Sequence, residues 1–423
     1  MNYKQLFRQF VWLTKTPGIG GRIKSKPEDF VVEEVISNGI FGKKECLIFR
    51  ITKRRWDTVA LVKEIAKRTG LCYRDIGFAG SKDKHAIATQ YISICDGEDD
   101  RSKIENLDIK DVKIEFVGYG KRLRLGSLLG NKFTIIVRDL RVNVSEASAR
   151  VEKILNEAEE KGAFPNYFGY QRFGEQRANN HEIGKLLLEG KFEEAAILFL
   201  GQHCDGTMLG DEARKRFLET RDVDEALEKF PKSLRYERTL LFKFKETQNW
   251  KKAFLSLPRQ LLRIFIHAYQ SYLFNKVLSK RIQAEFSLGE ALIGDVVCRV
   301  KNGLPIRSRN FEVTKNNVNE VNEKIKKGEL MVTGPIFGCK GKLAKGKMGE
   351  IEEAVLEEEN IELKMFKLRP LGIYPELGGR RELPLAPKDF SYARTGKDSL
   401  EFKFFIPRGC YATSVMREIM KDY

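Results

Sequence analysis

A change of hydrophobic period along the chain constrains its fold more than any other feature. Phe30 to Ile36 (FVVEEVI) and Cys46 to Lys53 (CLIFRITK) are rich in β-branched and aromatic residues and read as strands. So do KIEFVGYG, KFTIIVRDL and, near the far end, LEFKFFIPRG (Leu400 to Gly409). From about Asn179 to Lys280 the apolar residues recur at helical spacing instead, as in HEIGKLLLEG, FEEAAILFL and LLRIFIHAYQSYLFNKVLSKRI. A β-rich start, a helical middle and a β-rich end suggest one domain inserted into another. A chain of 423 residues is long enough for two or three domains. Strand and helix alternate too seldom for a doubly wound parallel sheet, so the expected class is α+β.

Local signals bound several elements. Asp57 and Thr58 are candidate N-caps of a helix whose stripe is Leu61, Val62 and Ile65, with Gly70 as its stop. Ser145 can cap a helix carrying Ala147, Val151, Ile154, Leu155 and Ala158 on one face. A short helix with Val318, Val321 and Ile325 closes at Gly328.

Composition narrows the function. The 76 Lys plus Arg outweigh 59 Asp plus Glu, a formal charge of +17. Such an excess favours polyanions, nucleic acid above all, because neutralised phosphates release condensed counterions. A generally solvated basic surface is the plainer alternative. No run of about eighteen apolar residues occurs, so no membrane span is expected. The mildly apolar N-terminus is interrupted by Arg8 and Lys15 and is followed by no cleavage site. The seven cysteines are scattered singly, without CxxC, and read as reduced thiols of a cytoplasmic protein. Four histidines, no two at ligand spacing, argue against zinc.

Four segments could carry chemistry. GFAGSKDKHAIATQ (Gly77 to Gln90) describes a tight loop presenting Asp83 between Lys82 and Lys84. Neighbouring cations favour the carboxylate, which suits a nucleophile or base better than an acid; a turn Asp capping the next segment is the alternative. GRIKSKPEDFVVEE (Gly21 to Glu34) could supply a Lys to pair with Asp83, or could be an ordinary strand entry. In LGNKFTIIV, Asn131 and Phe133 sit two apart and face one side, as a base pocket or simply as core. FPNYFGYQRFGEQR (Phe164 to Arg177) interleaves aromatics with Gln171, Arg172 and Arg177, the pattern of a single-strand RNA surface or of a hinge. GKLAKGKM (Gly341 to Met348) nearly fits a phosphate-binding loop, but Met348 replaces the hydroxyl that would hold Mg²⁺.

Taken in order, these segments resemble the TruD family of pseudouridine synthases. The likeness runs through IKSKPEDFVVEE, GFAGSKDKHAIATQ, GNKF and NYFGYQRFG, then HAYQSYLFNKVLS, VTGPIFG, GGRRELPL and FIPRGCYATSVMREIM. The resemblance implies that Asp83 is the catalytic carboxylate, with Lys24 beside it. It places Asn131 and Phe133 in the base pocket, and Phe30 matches the phenylalanine of the family's EDFxVxE segment and is a further substrate-binding candidate. Lys82, Lys84, Asn166, Phe168, Gln171 and Arg172 are the further substrate-binding candidates. Lys84 stands where some members have Arg, keeping the charge but losing the bidentate fork.

The implied fold is a mixed, largely antiparallel sheet, with residues 1–165 and 381–423 as the catalytic domain and 166–380 as an inserted α/β domain peculiar to the family. The implied reaction is isomerisation of a tRNA uridine, at position 13, without metal, nucleotide or redox cofactor. A non-catalytic RNA-binding protein or RNA chaperone on the same fold is the alternative.

Overall fold

The structure, a computed structural model, describes residues 3–95, 101–174, 176–204 and 208–422. These fall into two compact units: residues 14–157 with 385–422, and residues 3–13 with 158–384.

The first unit is built on a sheet of strands β1 (Phe30–Ile36), β2 (Phe41–Arg54), β3 (Ile76–Phe78), β4 (Ile87–Cys95), β5 (Val112–Gly120) and β6 (Leu128–Val137). Lys388–Arg394 and Leu400–Pro407 return from the far end of the chain to complete it, in the order Lys388–Arg394, Leu400–Pro407, β6, β1, β4, β2, β5. Only the β1–β4 pair is parallel among these ladders, so the sheet is mixed and largely antiparallel, and the α+β class holds. One edge of β4 is shared: β1 pairs with Ile87 to Thr89, and β3 pairs with Ile92 to Ile94. Between the two, the Glu34 carboxylate accepts the Tyr91 N–H at 3.2 Å, so a side chain continues the ladder where β1 leaves it.

The helix Thr58–Thr69 covers this sheet. Leu61, Val62 and Ile65 pack with Leu47, Phe49 and Ile51 of β2 and Ile92 and Ile94 of β4. Each side chain buried there stabilises by about 1.5–3 kcal/mol. Asp57 is its N-cap, accepting the Ala60 N–H at 3.0 Å, and Gly70 ends it with φ +77°. The helix Val144–Glu160 differs in its cap: Asn143, not Ser145, accepts the Glu146 N–H, at 2.9 Å. An Asn two residues earlier competes for the same role, and the apolar stripe does not tell them apart.

The cysteine expectation is corrected at one pair. Cys46 of β2 and Cys95 of β4 lie directly opposite in register and form a disulfide, although 49 residues apart in sequence. Strand pairing made them neighbours, which linear spacing does not reveal. Cys72 and Cys339 are free thiols.

The second unit centres on the helix Arg259–Gln283, whose Leu262, Phe265, Ile266, Tyr269 and Leu273 are buried among residues of the helices Asn180–Glu189, Phe192–Gly201, Arg235–Thr247 and Trp250–Leu255. An antiparallel sheet in the order Gly379–Glu382, Leu330–Ile336, Val296–Lys301, Leu304–Glu312 completes it. The apolar N-terminal patch is core of this unit: Leu6, Phe7 and Phe10 are buried, and the Val11 N–H donates to Ser279 Oγ at 2.8 Å. Met348 is wholly buried, with the Arg281 guanidinium 3.4 Å from its sulfur, so GKLAKGKM leads into a packed helix, Gly346–Glu359, and not into a phosphate cradle. Among the described residues no helix is long and apolar enough to cross a membrane, and no group of three or more His, Cys, Asp and Glu is placed to hold a metal ion.

Candidate active site

Asp83 sits in the connection between β3 and β4, four residues before Ile87, where the β1–β4 pairing begins. Its Oδ1 accepts the His85 N–H at 3.0 Å, a two-residue turn of the kind short acidic side chains favour. Its Oδ2 is paired with the ammonium of Lys24. Lys24 reaches it from a left-handed backbone conformation, φ +59°, which non-glycine residues rarely adopt. The same ammonium lies 4.5 Å from the centroid of the Phe30 ring.

Buried groups anchor the loop: Lys53, Glu34 and Gln90, which the linear sequence did not single out, together with Lys82 and Thr58, which it did. Lys53 is wholly buried at the end of β2, and its ammonium donates to the carbonyls of Trp56 (2.5 Å), Asp83 (2.9 Å) and Lys82 (3.4 Å). Lys82 turns inward and pairs with Glu34, both side chains nearly inaccessible. The Lys82 N–H donates to Thr58 Oγ1 at 2.9 Å, and that hydroxyl donates to Gln90 Oε1 at 2.8 Å. A signal did exist. Lys53 follows Leu47, Phe49 and Ile51 at period two, and Glu34 follows Phe30 and Val32, each a charge on an inward-facing position.

Electrostatics favour the ionised Asp83. Burial pushes its carboxyl up, but the Lys24 charge, the Lys24 hydrogen bond and the His85 N–H outweigh burial and leave it below the ordinary carboxylate value. Burial pulls Lys53 down to about 8, against the attraction of Asp83 and Asp57.

Next to the loop lies an aromatic row. Phe133 of β6 stands edge-on to Phe30 at 5.8 Å and stacks on Phe404 at 5.9 Å. Register explains the row: Phe133 is opposite Val32 of β1 and Phe404 of the closing strand. Asn131, two residues earlier, is opposite Glu34. Its Oδ1 is buried with no hydrogen-bond partner among the described residues. Buried polar atoms are ordinarily paired, so this acceptor marks a place for a donor from outside the chain.

The structure thus gathers Lys24, Phe30, Lys82, Asp83, Asn131 and Phe133 in one unit, with Lys84 exposed on the same loop. Asn166, Phe168, Gln171 and Arg172 belong to the other unit. There Asn166 is wholly buried, donating to the Glu382 carbonyl at 3.0 Å and accepting from Arg381 at 2.8 Å. Phe168 packs under the Arg381 guanidinium at 4.1 Å and edge-on to Phe274 at 5.4 Å. Gln171 is exposed, and Arg172 has a buried Nε without a hydrogen-bond partner among the described residues.

Comparison with known proteins gives this geometry a context. The sequence profile described as tRNA pseudouridine synthase D (TruD) matches residues 8–419. A Thermococcus sibiricus protein named "Probable tRNA pseudouridine synthase D" is 56% identical over the full length of both chains. One of the same name from Methanosarcina acetivorans is 37% identical over 97% of this chain and 95% of its own. A crystal structure of a TruD protein from Methanosarcina mazei superposes with a TM-score of 0.84 at 34% identity, covering 100% of this chain and 99% of that one.

Proposed function

The chain belongs to the TruD family of tRNA pseudouridine synthases, and from that premise we propose that it isomerises uridine to pseudouridine in tRNA, at position 13, with Asp83 as the catalytic carboxylate. The observation that carries this reading is the pairing of an ionised Asp83 with an aromatic row and an unpartnered Asn131 Oδ1. A uridine flipped from its stack, at a cost of a few kcal/mol, lays its ring along Phe133, and its N3–H supplies the donor that Asn131 lacks.

The carboxylate then promotes cleavage of the N1–C1′ bond. Attack at C1′, attack at C6 and removal of the C2′ proton are the three first steps open to it. Uracil, held by Asn131 and Phe133, rotates and is rejoined through C5. The proton on C5 is lost and N1 gains one, so the product is an isomer and no electrons are exchanged. No metal, nucleotide or redox cofactor is therefore assigned. Lys24 keeps Asp83 ionised.

The remaining parts of the reading follow the substrate. Residues 1–165 and 381–423 are read as the catalytic domain and 166–380 as an inserted one. In the latter, Asn166 and Phe168 fix the backbone that offers Gln171 and Arg172 to RNA. A cytoplasmic location goes with a tRNA substrate.

The test is pseudouridine-specific chemical mapping of unmodified tRNA transcripts with wild-type and Asp83→Ala proteins side by side. One wild-type-dependent site at uridine 13, absent with the variant, is expected. Full product with Asp83→Ala would instead favour an RNA-binding protein or chaperone and a different source of activity.

A further inference from the structure

Beside the Asp83 pair lies a cavity of about 300 Å³ lined by Lys24, Ser25, Lys26, Pro27, Arg55, Lys84 and His85. Its charges differ from the others nearby. Arg54 is paired with Glu28, Arg138 with Asp29, Lys82 with Glu34 and Lys24 with Asp83. Lys26, Arg55 and Lys84 have no ion-pair partner among the described residues, and no carboxylate lines the cavity. Like charges gathered without a counter-ion repel one another, so the arrangement has a purpose when an anion enters.

The backbone supports the same reading. Two lining residues, Arg55 and Lys24, have φ +58° and +59°. The Arg55 N–H donates to the Ala86 carbonyl at 3.4 Å, which ties Arg55 to the end of the Asp83 loop. Rare conformations of this kind gather at ligand clamps.

We propose that this cavity seats a backbone phosphate of the RNA within one nucleotide of the isomerised uridine, with Arg55 and Lys26 as its principal new contacts. The proposal rests on the function proposed above for its choice of anion. Lys24 is shared between the cavity wall and the Asp83 carboxylate, so an anion held there lies one side chain from the reacting ring. A lining with guanidinium and ammonium groups and no carboxylate matches a phosphodiester, and at ~30 Å³ per water the cavity has room for a phosphate with part of its ribose. Such a seat would position the nucleotide without reading its base.

The test is equilibrium binding to full-length tRNA transcripts carrying a single methylphosphonate at each phosphate around uridine 13. Neutralising one phosphate next to that uridine is expected to weaken wild-type binding roughly tenfold. Arg55→Gln is expected to lose about as much on unmodified RNA and to lower the salt slope by about one. It should then show no further loss with the methylphosphonate. Lys26→Gln gives the same reading through a separate side chain should Arg55→Gln fold poorly. Arg54→Gln, whose cation already has a carboxylate, should keep the full methylphosphonate effect.

Losses that multiply in the doubly altered complex, or no sensitive phosphate within one nucleotide, would overturn the proposal. Binding needs no turnover. Wild-type protein that shows the coupling yet forms no pseudouridine would therefore sink the proposed activity and leave the seat standing.

Discussion

Two buried Asp–cation pairs in this protein are built for opposite ends. In the second unit, Arg281 and Asp295 are wholly inaccessible, joined at 2.8 and 3.0 Å. Asp295 also accepts the Leu292 N–H at 2.8 Å, and the other guanidinium nitrogens donate to the carbonyls of Ser287 and Glu290. In the first unit, Lys24 and Asp83 are nearly as buried, but Lys24 also lines a cavity and lies against Phe30 of the aromatic row. The first pair is closed on itself; the second borders a cavity. The comparison teaches that burial of a charge pair says little until its surroundings are counted.

The sharpest way to break the comparison is to neutralise each Asp. Asp83→Asn is expected to lower kcat at least about 10³-fold with little change in Tm, because the loop keeps its Lys53, Thr58 and Lys82 anchors. Asp295→Asn is expected to cost about 3–5 kcal/mol of stability, by leaving Arg281 buried and uncompensated, while protein that still folds turns over normally. Thermal melts and single-turnover kinetics on both variants decide it. Equal loss of stability in the two would dissolve the distinction.

Lys53 tests whether the anchors matter to the chemistry. Lys53→Met, which keeps the bulk and removes the donors, is expected to lower kcat roughly 10- to 100-fold through a misplaced loop. Its burial and three carbonyl partners also give a pH signature. As pH rises through about 8 the ammonium loses a proton and keeps two N–H groups for three acceptors, so kcat should fall on an alkaline limb near there. Because this pKa is lowered on folding, the desolvation cost of the charged form is present below about 8 and is relieved above it. Stability should therefore hold or rise as activity falls. A parallel loss of Tm would assign the limb to unfolding instead.

Lys24 sets the acid side. Asp83 has its pKa lowered on folding, so the stability it contributes is present above the unfolded value and is lost as pH falls through the folded one. Lys24→Met removes both the charge and the hydrogen bond that oppose burial. The acid limb of kcat should then move upward, past the ordinary carboxylate value, with the pH-independent rate changed less than in Asp83→Asn. An unmoved limb in a pH–rate profile would mean that another group holds Asp83 ionised.

Much of this site was legible in the chain because its parts are local. The KDK loop, the strand FVVEEVI and the Asn131–Phe133 alternation each lie within a few residues, and periodicity placed them on the correct elements. Pairings made by the sheet were not legible. Cys46 with Cys95 depends on the β2–β4 register, and Phe404 behind Phe133 depends on a strand returning from the far end of the chain. The FPNYFGYQRFGEQR segment shows the limit of composition. It reads as an RNA surface or as a hinge, and in the fold Asn166 and Phe168 pack on Glu382, Arg381 and Phe274 while Gln171 is exposed. Aromatics among cations describe a cation–π core as well as they describe a binding face.

Asn131 yields the smallest effect and the finest discrimination. A buried Asn that is structural gives up hydrogen bonds when truncated, and each one left unmade costs about 1–3 kcal/mol. The Oδ1 of Asn131 has none to give up among the described residues, so Asn131→Ala should change stability by less than about 1 kcal/mol. If that acceptor is reserved for the flipped ring, the same variant should lower kcat/KM about tenfold, the worth of one hydrogen bond in a closed pocket. Asn131→Asp sharpens the reading, since it keeps the acceptor but sets a second carboxylate opposite Glu34 and close to the Asp83 loop. Like charges there should raise the apparent pKa of the acid limb. A variant that loses stability in step with activity would place Asn131 with Asp295, among groups that hold the fold.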